Sequence, residues 1–244
     1  MKALLLAAGL GTRLQPFTLH HPKALAVVNG KTLLQRNVEY LQQQGITELI
    51  VNVHHFPDQI INAIESNNGW GSKISISDET DAVLETGGGL QKAAWYFDKE
   101  ESFVVMNVDM LTTLPLTKMI QKHEENNPLA TLAITDRTSS RYLLFDATNK
   151  LCGWKNTATQ EEKGAVLSYT ETQKLALVAK AFSGIHVINT KIFNLIEQQG
   201  KFSLIDVYMS LCCNHTIEGF NHSDSLLIDV GKPESIVKAK GLFF

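Results

Sequence analysis

The opening of this chain constrains its fold more than any other stretch. Residues 3–8 read Ala-Leu-Leu-Leu-Ala-Ala, an unbroken apolar run, and at Gly9 the run stops in a Gly-Leu-Gly turn. A strand apolar at every position, without alternation, suits a sheet covered on both faces. Gly9 and Gly11 permit positive φ and carry no side chain, so backbone N–H groups after the strand can close on an anion. Thr12 and Arg13 follow, and Arg13 adds a planar, forked cation. Pro16 and Pro22 stiffen the next segment, and Lys23 returns a second cation. Open α/β sheets bind ligands at the carboxyl ends of their strands, so this bend reads as a phosphate cradle. It is neither of two common phosphate loops. The dinucleotide fingerprint requires a glycine where Leu14 stands, and Gly30-Lys31-Thr32 lacks the P-loop's first glycine, its place being taken by Leu25.

Farther along, apolar runs alternate with helical spacing. Residues 31–44 carry Leu33, Leu34, Val38 and Leu41 on one helical face, ahead of Gly45. Residues 48–53, 73–77, 102–108 and 129–135 read as strands. Residues 58–64, 88–97 and 116–125 read as the helices between them. That rhythm predicts an α/β fold with a doubly wound, mainly parallel, Rossmann-like sheet. After Arg137 the pattern shifts to short antiparallel strands at 141–147, 150–155 and 164–170. A longer apolar strand follows at 179–188, then helices at 192–198 and 203–213, strands at 216–220 and 226–230, and a helix at 234–240.

Composition narrows the class. At 244 residues, 44% hydrophobic and 19% charged, the chain can bury a sizeable core as one domain. A net charge of −3 offers no general nucleic-acid surface, and no apolar run is long enough for a membrane span. Neither kind of partner is expected, and homo-oligomerisation stays open. Cys152, Cys212 and Cys213 form neither a disulfide framework nor a zinc set, which points to the reducing cytoplasm. The eight histidines show no ligand spacing and read as loop and core-edge hydrogen-bonding residues.

The glycine bend, with Pro16, Thr18, Pro22 and Lys23, resembles the signature of the sugar-1-phosphate nucleotidyltransferases. Four later segments are similar to family elements in the same order. They are Leu84-Glu85-Thr86-Gly87-Gly88-Gly89, Asn107-Val108-Asp109, Ser183-Gly184-Ile185 and Asp229-Val230-Gly231-Lys232. The resemblance implies one nucleotidyltransferase domain of the GT-A-like type. Residues 1–137 would bind nucleotide and 138–244 sugar, without the C-terminal β-helix of many relatives. It also implies an enzyme that joins a nucleoside triphosphate to a sugar 1-phosphate and uses Mg²⁺.

On that resemblance, Arg13, Lys23 and Asp109 are catalytic, and Asp109 and Asp229 hold the metal. Either acid alone also reads as a turn or cap residue. Leu6, Ala7, Ala8, Gly9, Gly11 and Thr12, with Arg13 and Lys23, are expected at the nucleotide, the alanines and Gly9 through main-chain groups. Thr86, Gly87 and Gly88 are assigned to base or sugar, or else turn the chain into a helix. Glu79 is a base-side residue or an exposed loop acid. Asn107, Gly184 and Lys155 are placed at the sugar, with a solvated turn lysine as the other reading of Lys155. The glycine-rich 84–89 segment looks closest to the N-acetylmuramic acid 1-phosphate uridylyltransferases of cell-wall recycling, which implies UTP. The alternatives are a mannose- or heptose-1-phosphate guanylyltransferase, a silent nucleotide-sugar sensor, and a glycosyltransferase. The last would want Asp-x-Asp where Asn107-Val108-Asp109 stands.

Overall fold

A computed structural model describes residues 1–244. In chain order the first half contains β1 (Ala3–Leu6), β2 (Val27–Val28), β3 (Lys31–Thr32), α1 (Leu33–Gln43), β4 (Glu48–Val53), α2 (Pro57–Ser66), β5 (Lys73–Asp78), α3 (Glu85–Lys92), β6 (Ser102–Asn107), β7 (Met110–Thr112), α4 (Leu116–Asn126) and β8 (Ala130–Thr135). The second half contains β9 (Arg141–Phe145), β10 (Leu151–Asn156), β11 (Glu162–Lys163), α5 (Glu171–Leu175), β12 (Val178–Asn189), α6 (Leu204–Leu211), β13 (Ile217–Asn221), β14 (Leu227–Asp229) and α7 (Pro233–Leu242).

The chain has the mixed α/β architecture that its alternating pattern implies. The main sheet runs β11-β10-β9-β12-β6-β1-β4-β5, with β8 and β13 attached beside β12. β6, β1, β4 and β5 are mutually parallel, which places their carboxyl ends along one rim. β1 lies at the centre and is covered on both faces. Leu4 packs with Leu90 of α3 and Val207 and Tyr208 of α6. Ala3 and Leu5 face Leu34 and Val38 of α1 and Ile60 of α2. Alternate side chains feed opposite cores, so no position of the strand can be polar. Each fully buried leucine of this kind contributes about 1.5–3 kcal/mol.

β12 joins the two halves. Its first residues pair with β9, and its later ones lie between β6 and β8, all antiparallel. The register against β8 shifts between Phe182 and His186. Gly184 sits in this bulge at φ +72°, a conformation that L side chains rarely adopt. A boundary at residue 137 therefore cuts through one continuous sheet.

Several local expectations need correction. The glycine triplet is not a loop before a helix: it lies within α3, which ends at Lys92, and a 3₁₀ turn covers Ala94–Phe97. Residues 164–170 are not a strand. The chain turns at Gly164 (φ +89°) into a 3₁₀ turn over Ala165–Ser168, and the strand is β11 just before it. Residues 192–198 form only a 3₁₀ turn, Thr190–Asn194, capped by the Asn189 side chain. The short helix α5 had no expected counterpart; Thr170 and Gln173 close a capping box at its start. No helix is long and apolar enough to cross a membrane.

Candidate active site at the end of the first strand

A cavity of about 440 Å³ opens at the carboxyl ends of β1 and β6. Leu6, Ala7, Ala8, Gly9, Gly11, Thr12, Arg13 and Lys23 line one side of it, and Asn107, Val108 and Asp109 line another. Glu85, Thr86, Asn52, Ser203 and Gly231 complete much of the remainder. Gly11 makes the bend possible. It sits at φ +63°, and a Cβ there would lie 2.9 Å from Thr18 Cγ2 and 3.1 Å from Lys23 Cβ. The Thr18 hydroxyl donates to the Gly11 carbonyl at 2.9 Å, which holds the bend down on Lys23.

Lys23 is buried, 8% exposed, and its ammonium is ion-paired with the Asp109 carboxylate. Burial of an unpaired ammonium would be strongly unfavourable, so this partner is what lets Lys23 stand there. The turn after β6 is itself fixed: buried Asn37 of α1 donates to the Val108 carbonyl at 2.7 Å.

Asp229 is 120 positions away in sequence from Asp109 but reaches the same place. β14 runs antiparallel to β7 with Asp229 opposite Met110, and Val230 N–H donates to the Asp109 carbonyl at 2.8 Å. Arg13 Nη2 lies 3.7 Å from Asp229 Oδ2. Asp229 Oδ1 is buried and has no hydrogen-bond partner. A Cβ on Gly231 would come within 2.7 Å of that oxygen and 2.9 Å of Arg13 Nη2, so only glycine leaves the space clear. A buried, unpartnered oxygen on Asp229, on a strand whose next residue is hydrogen-bonded to the Asp109 backbone, is chemistry that suits Mg²⁺. That ion takes few protein carboxylates and completes its shell with phosphate and water oxygens. No three His, Cys, Asp or Glu side chains form an all-protein cage. The residues fit the ion the resemblance implies.

Other expected residues lie elsewhere. Glu79 is not an exposed acid: it is 1% exposed and outside the cavity lining. It accepts from Asn52 Nδ2 at 2.7 Å, and burial pushes its carboxyl above the usual range. Asn52 Oδ1 in turn accepts from Ala7 N–H at 2.6 Å and Ala8 N–H at 3.2 Å. The two alanine N–H groups are therefore engaged by protein rather than free for a nucleotide. Asn52 was missed in the sequence, where its only signal is one amide inside the apolar run of β4.

Gly87 and Gly88 also stand behind the lining. Gly87 N–H donates to the Phe202 carbonyl at 2.9 Å. A Cβ on Gly87 would meet the Phe202 ring at 2.4 Å, and one on Gly88 would meet the Gly200 carbonyl at 2.2 Å. Thr86 does line the cavity, with its hydroxyl accepting from Leu204 N–H at 2.9 Å. Gly184 backs the site: a Cβ there would lie 2.8 Å from Asn107 Nδ2.

A second cavity, about 960 Å³, shares Arg13 and Ser203 with the first. Arg137, Arg141, Tyr142, Trp154, Asn156, Lys163, Asp206 and Asp229 are among its walls. Lys155 is not, because strand side chains alternate: Trp154 and Asn156 face the cavity, while Lys155 pairs with Glu162 at 3.3 Å. Three histidines are core residues, not catalysts. His123, His186 and His222 are buried beside the hydroxyls of Thr131, Tyr208 and Ser183. Desolvation lowers them to about 4, about 3 and about 4 respectively, so they are neutral at pH 7.

Relatives share both sequence and architecture with this chain. Mannose-1-phosphate guanylyltransferase catalytic subunit beta of Dictyostelium discoideum is 26% identical over 250 residues, covering 100% of this chain and 64% of that protein. A probable mannose-1-phosphate guanylyltransferase 3 of Oryza sativa is 30% identical over 203 residues, 81% of this chain and 52% of that protein. The chain thus spans less than two thirds of the length of these relatives. The crystal structure of HddC from Yersinia pseudotuberculosis complexed with GMP-PN superposes with a TM-score of 0.78 at 24% identity, covering 100% of this chain and 99% of that one. A putative glucose-1-phosphate thymidylyltransferase from Bacillus anthracis reaches 0.80 at 17% identity, covering 99% and 94%. The family described as nucleotidyl transferase matches residues 2–242, and with the glycine bend and its opposed acids in place along that span, the chain belongs to it.

Proposed function

We propose that this chain is an enzyme that joins a nucleoside triphosphate to a sugar 1-phosphate and releases pyrophosphate. GTP is the favoured nucleotide, and mannose 1-phosphate or a related hexose or heptose 1-phosphate is the acceptor. The convergence of Arg13, Lys23, Asp109 and Asp229 on the rim beside β1 carries this reading. These residues are scattered along the chain, and packing alone does not require two cations and two acids at one strand end.

A phosphate oxygen of the sugar 1-phosphate attacks the α-phosphorus, and the bond from that phosphorus to the β-phosphate bridging oxygen breaks. The nucleophile is already ionised at neutral pH, so no side-chain base is needed. The work is alignment and charge neutralisation. Arg13, at the junction of the two cavities, stabilises charge on the phosphorus in flight and on the leaving group. Lys23 holds phosphate as a point charge, and the bend at Gly9 and Gly11 admits the triphosphate. Mg²⁺ held by Asp109 and Asp229 would neutralise part of the repulsion between the two anions. The free thiols of Cys152, Cys212 and Cys213 accord with a cytoplasmic enzyme.

The uridylyl reading rested on the glycine-rich 84–89 segment. Its glycines are accounted for by close packing, Gly87 and Gly88 on residues 200–202 and Gly89 on Glu79 and Asn52, so they do not argue for uridine. The names of the relatives favour guanylyl transfer. A panel of GTP, UTP, ATP, CTP and dTTP against mannose, glucose, N-acetylglucosamine and N-acetylmuramic acid 1-phosphates, followed by pyrophosphate release, tests the choice. GTP with mannose 1-phosphate should give the highest kcat/KM. A maximum at UTP with N-acetylmuramic acid 1-phosphate would reinstate the other substrate pair. No pyrophosphate from any pair would refute the activity.

A further inference from the structure

A sugar 1-phosphate is an anion that must sit beside a triphosphate, so a cation not already matched by an acid would favour its binding there. Lys155 faces away from the second cavity and is paired with Glu162. Lys163 faces it but is matched by Asp206 at 2.9 Å and Glu161 at 3.6 Å. Arg13 is matched by Asp229. Two cations in this cavity remain without an acidic partner, Arg137 and Arg141.

Arg137 is the better placed of the two. It lines the second cavity and also a hollow of about 650 Å³ beside the start of α7, and Arg13 and Asp229 line both with it. Arg141 lines only the second cavity. One amino group of Arg137 donates to the Phe182 carbonyl at 2.7 Å, at the edge of the β12 bulge, and its other N–H groups have no protein acceptor. Just behind, Ser183 and His222 are buried and hydrogen-bonded at 2.8 Å, which steadies the bulge that carries Phe182. His222 is neutral there, held down by burial and by the nearby Arg137 charge. A guanidinium anchored on one edge and open on the other is preorganised for bidentate contact with a phosphate.

We propose that Arg137 binds the 1-phosphate of the sugar substrate and holds it beside Arg13, an assignment that rests on the nucleotidyl-transfer reading. Calorimetric titration tests it with mannose 1-phosphate, glucose 1-phosphate, free mannose and GTP, on wild type, Arg137→Gln, Arg137→Lys and Arg141→Gln. Arg137→Gln should weaken binding of the sugar phosphates by about 10- to 100-fold while GTP affinity stays within about twofold, which also shows that the variant is folded. Arg137→Lys should recover part of the loss, Arg141→Gln should lose less, and free mannose should not respond to the charge at all. In steady-state turnover the same loss should appear in KM for the sugar phosphate and not in KM for GTP.

Sugar-phosphate binding unchanged in Arg137→Gln would overturn the assignment. So would an equal loss of GTP binding, which would move Arg137 to the triphosphate, or a wild type that binds neither sugar phosphate. A wild type that binds sugar phosphate through Arg137 yet releases no pyrophosphate would instead sink the transferase reading and leave the binding site standing.

Discussion

Asn52→Ala is the substitution whose effect can be worked most fully from the structure. Asn52 Oδ1 is the acceptor for both Ala7 and Ala8 N–H, and Asn52 Nδ2 is a donor to Glu79. Ala7 and Ala8 are 2% and 7% exposed, so once the amide is gone each N–H loses its protein acceptor and has only cavity water to replace it. A buried donor left unmatched costs about 1–3 kcal/mol, and the buried Glu79 carboxylate loses a donor as well. Asn52 borders the cavity, so water entering there offsets part of this, and we expect a net loss of about 2–4 kcal/mol. For a chain of this size that corresponds to a fall in Tm of about 5–15 °C. Chemical unfolding with thermal scans measures it, and pyrophosphate release reports whether the bend at Gly9 has moved. A loss below about 0.5 kcal/mol, within the range of ordinary surface substitutions, would show that the amide does not hold the strand end.

Arg13→Ala should lower kcat by about 10²–10³-fold with little change in Tm, and Asp109→Asn should lower kcat as much while also lowering Tm, because the buried Lys23 ammonium loses its counter-charge; near-normal turnover would remove that residue from its role. Asparagine is chosen at Asp109 because it keeps a hydrogen-bond acceptor for Lys23, which alanine would remove along with the charge. Gly88→Ala should lose about 1–3 kcal/mol or fail to fold, since its Cβ meets the Gly200 carbonyl, whereas a stable variant would contradict the packing account. Gly9→Ala meets nothing within 4 Å, so it should unfold like wild type yet raise KM for GTP. Glu79 has its carboxyl raised by burial, so its folded form favours the proton. Its unfavourable contribution is absent below the ordinary glutamate range, builds as pH rises from that range to the folded value, and is fully present above it. Glu79→Gln should therefore gain on wild type in urea midpoint as pH rises above the ordinary glutamate range, and an unchanged difference would mean that the carboxylate is not burdened.

The parallel core of the fold was legible because burial on two faces leaves a strong local trace. Residues 3–8 and 103–106 are apolar throughout, and the α1 stripe repeats at helical spacing. The cradle was legible for a similar reason: Gly11, Arg13 and Lys23 sit close together in the chain, so their meeting is almost local. What failed depended on distant partners. The 85–92 helix is rich in glycine because residues 200–202 press against Gly87 and Gly88 while Asn52 and Glu79 press against Gly89, and the local sequence does not reveal these contacts. Lys155 was placed at the sugar from its approximate position, but strand alternation turns it to the opposite side from Trp154 and Asn156. Asn52 left almost no mark, since a single amide in a buried strand becomes meaningful only when its neighbours, two backbone N–H groups and Glu79, are in view. Arg137 carried no role in the sequence, since its anchor is the Phe182 carbonyl at the distant β12 bulge.

The central claim is that two anions meet in the paired cavities and that the sugar phosphate is the nucleophile. Phosphorus NMR on a reaction of GTP with mannose 1-phosphate carrying ¹⁸O in its non-bridging phosphate oxygens tests this directly. All of the label should be retained in the nucleotide sugar, and the pyrophosphate should be unlabelled. Label in pyrophosphate or in free phosphate, or no nucleotide sugar at all, would contradict the claim.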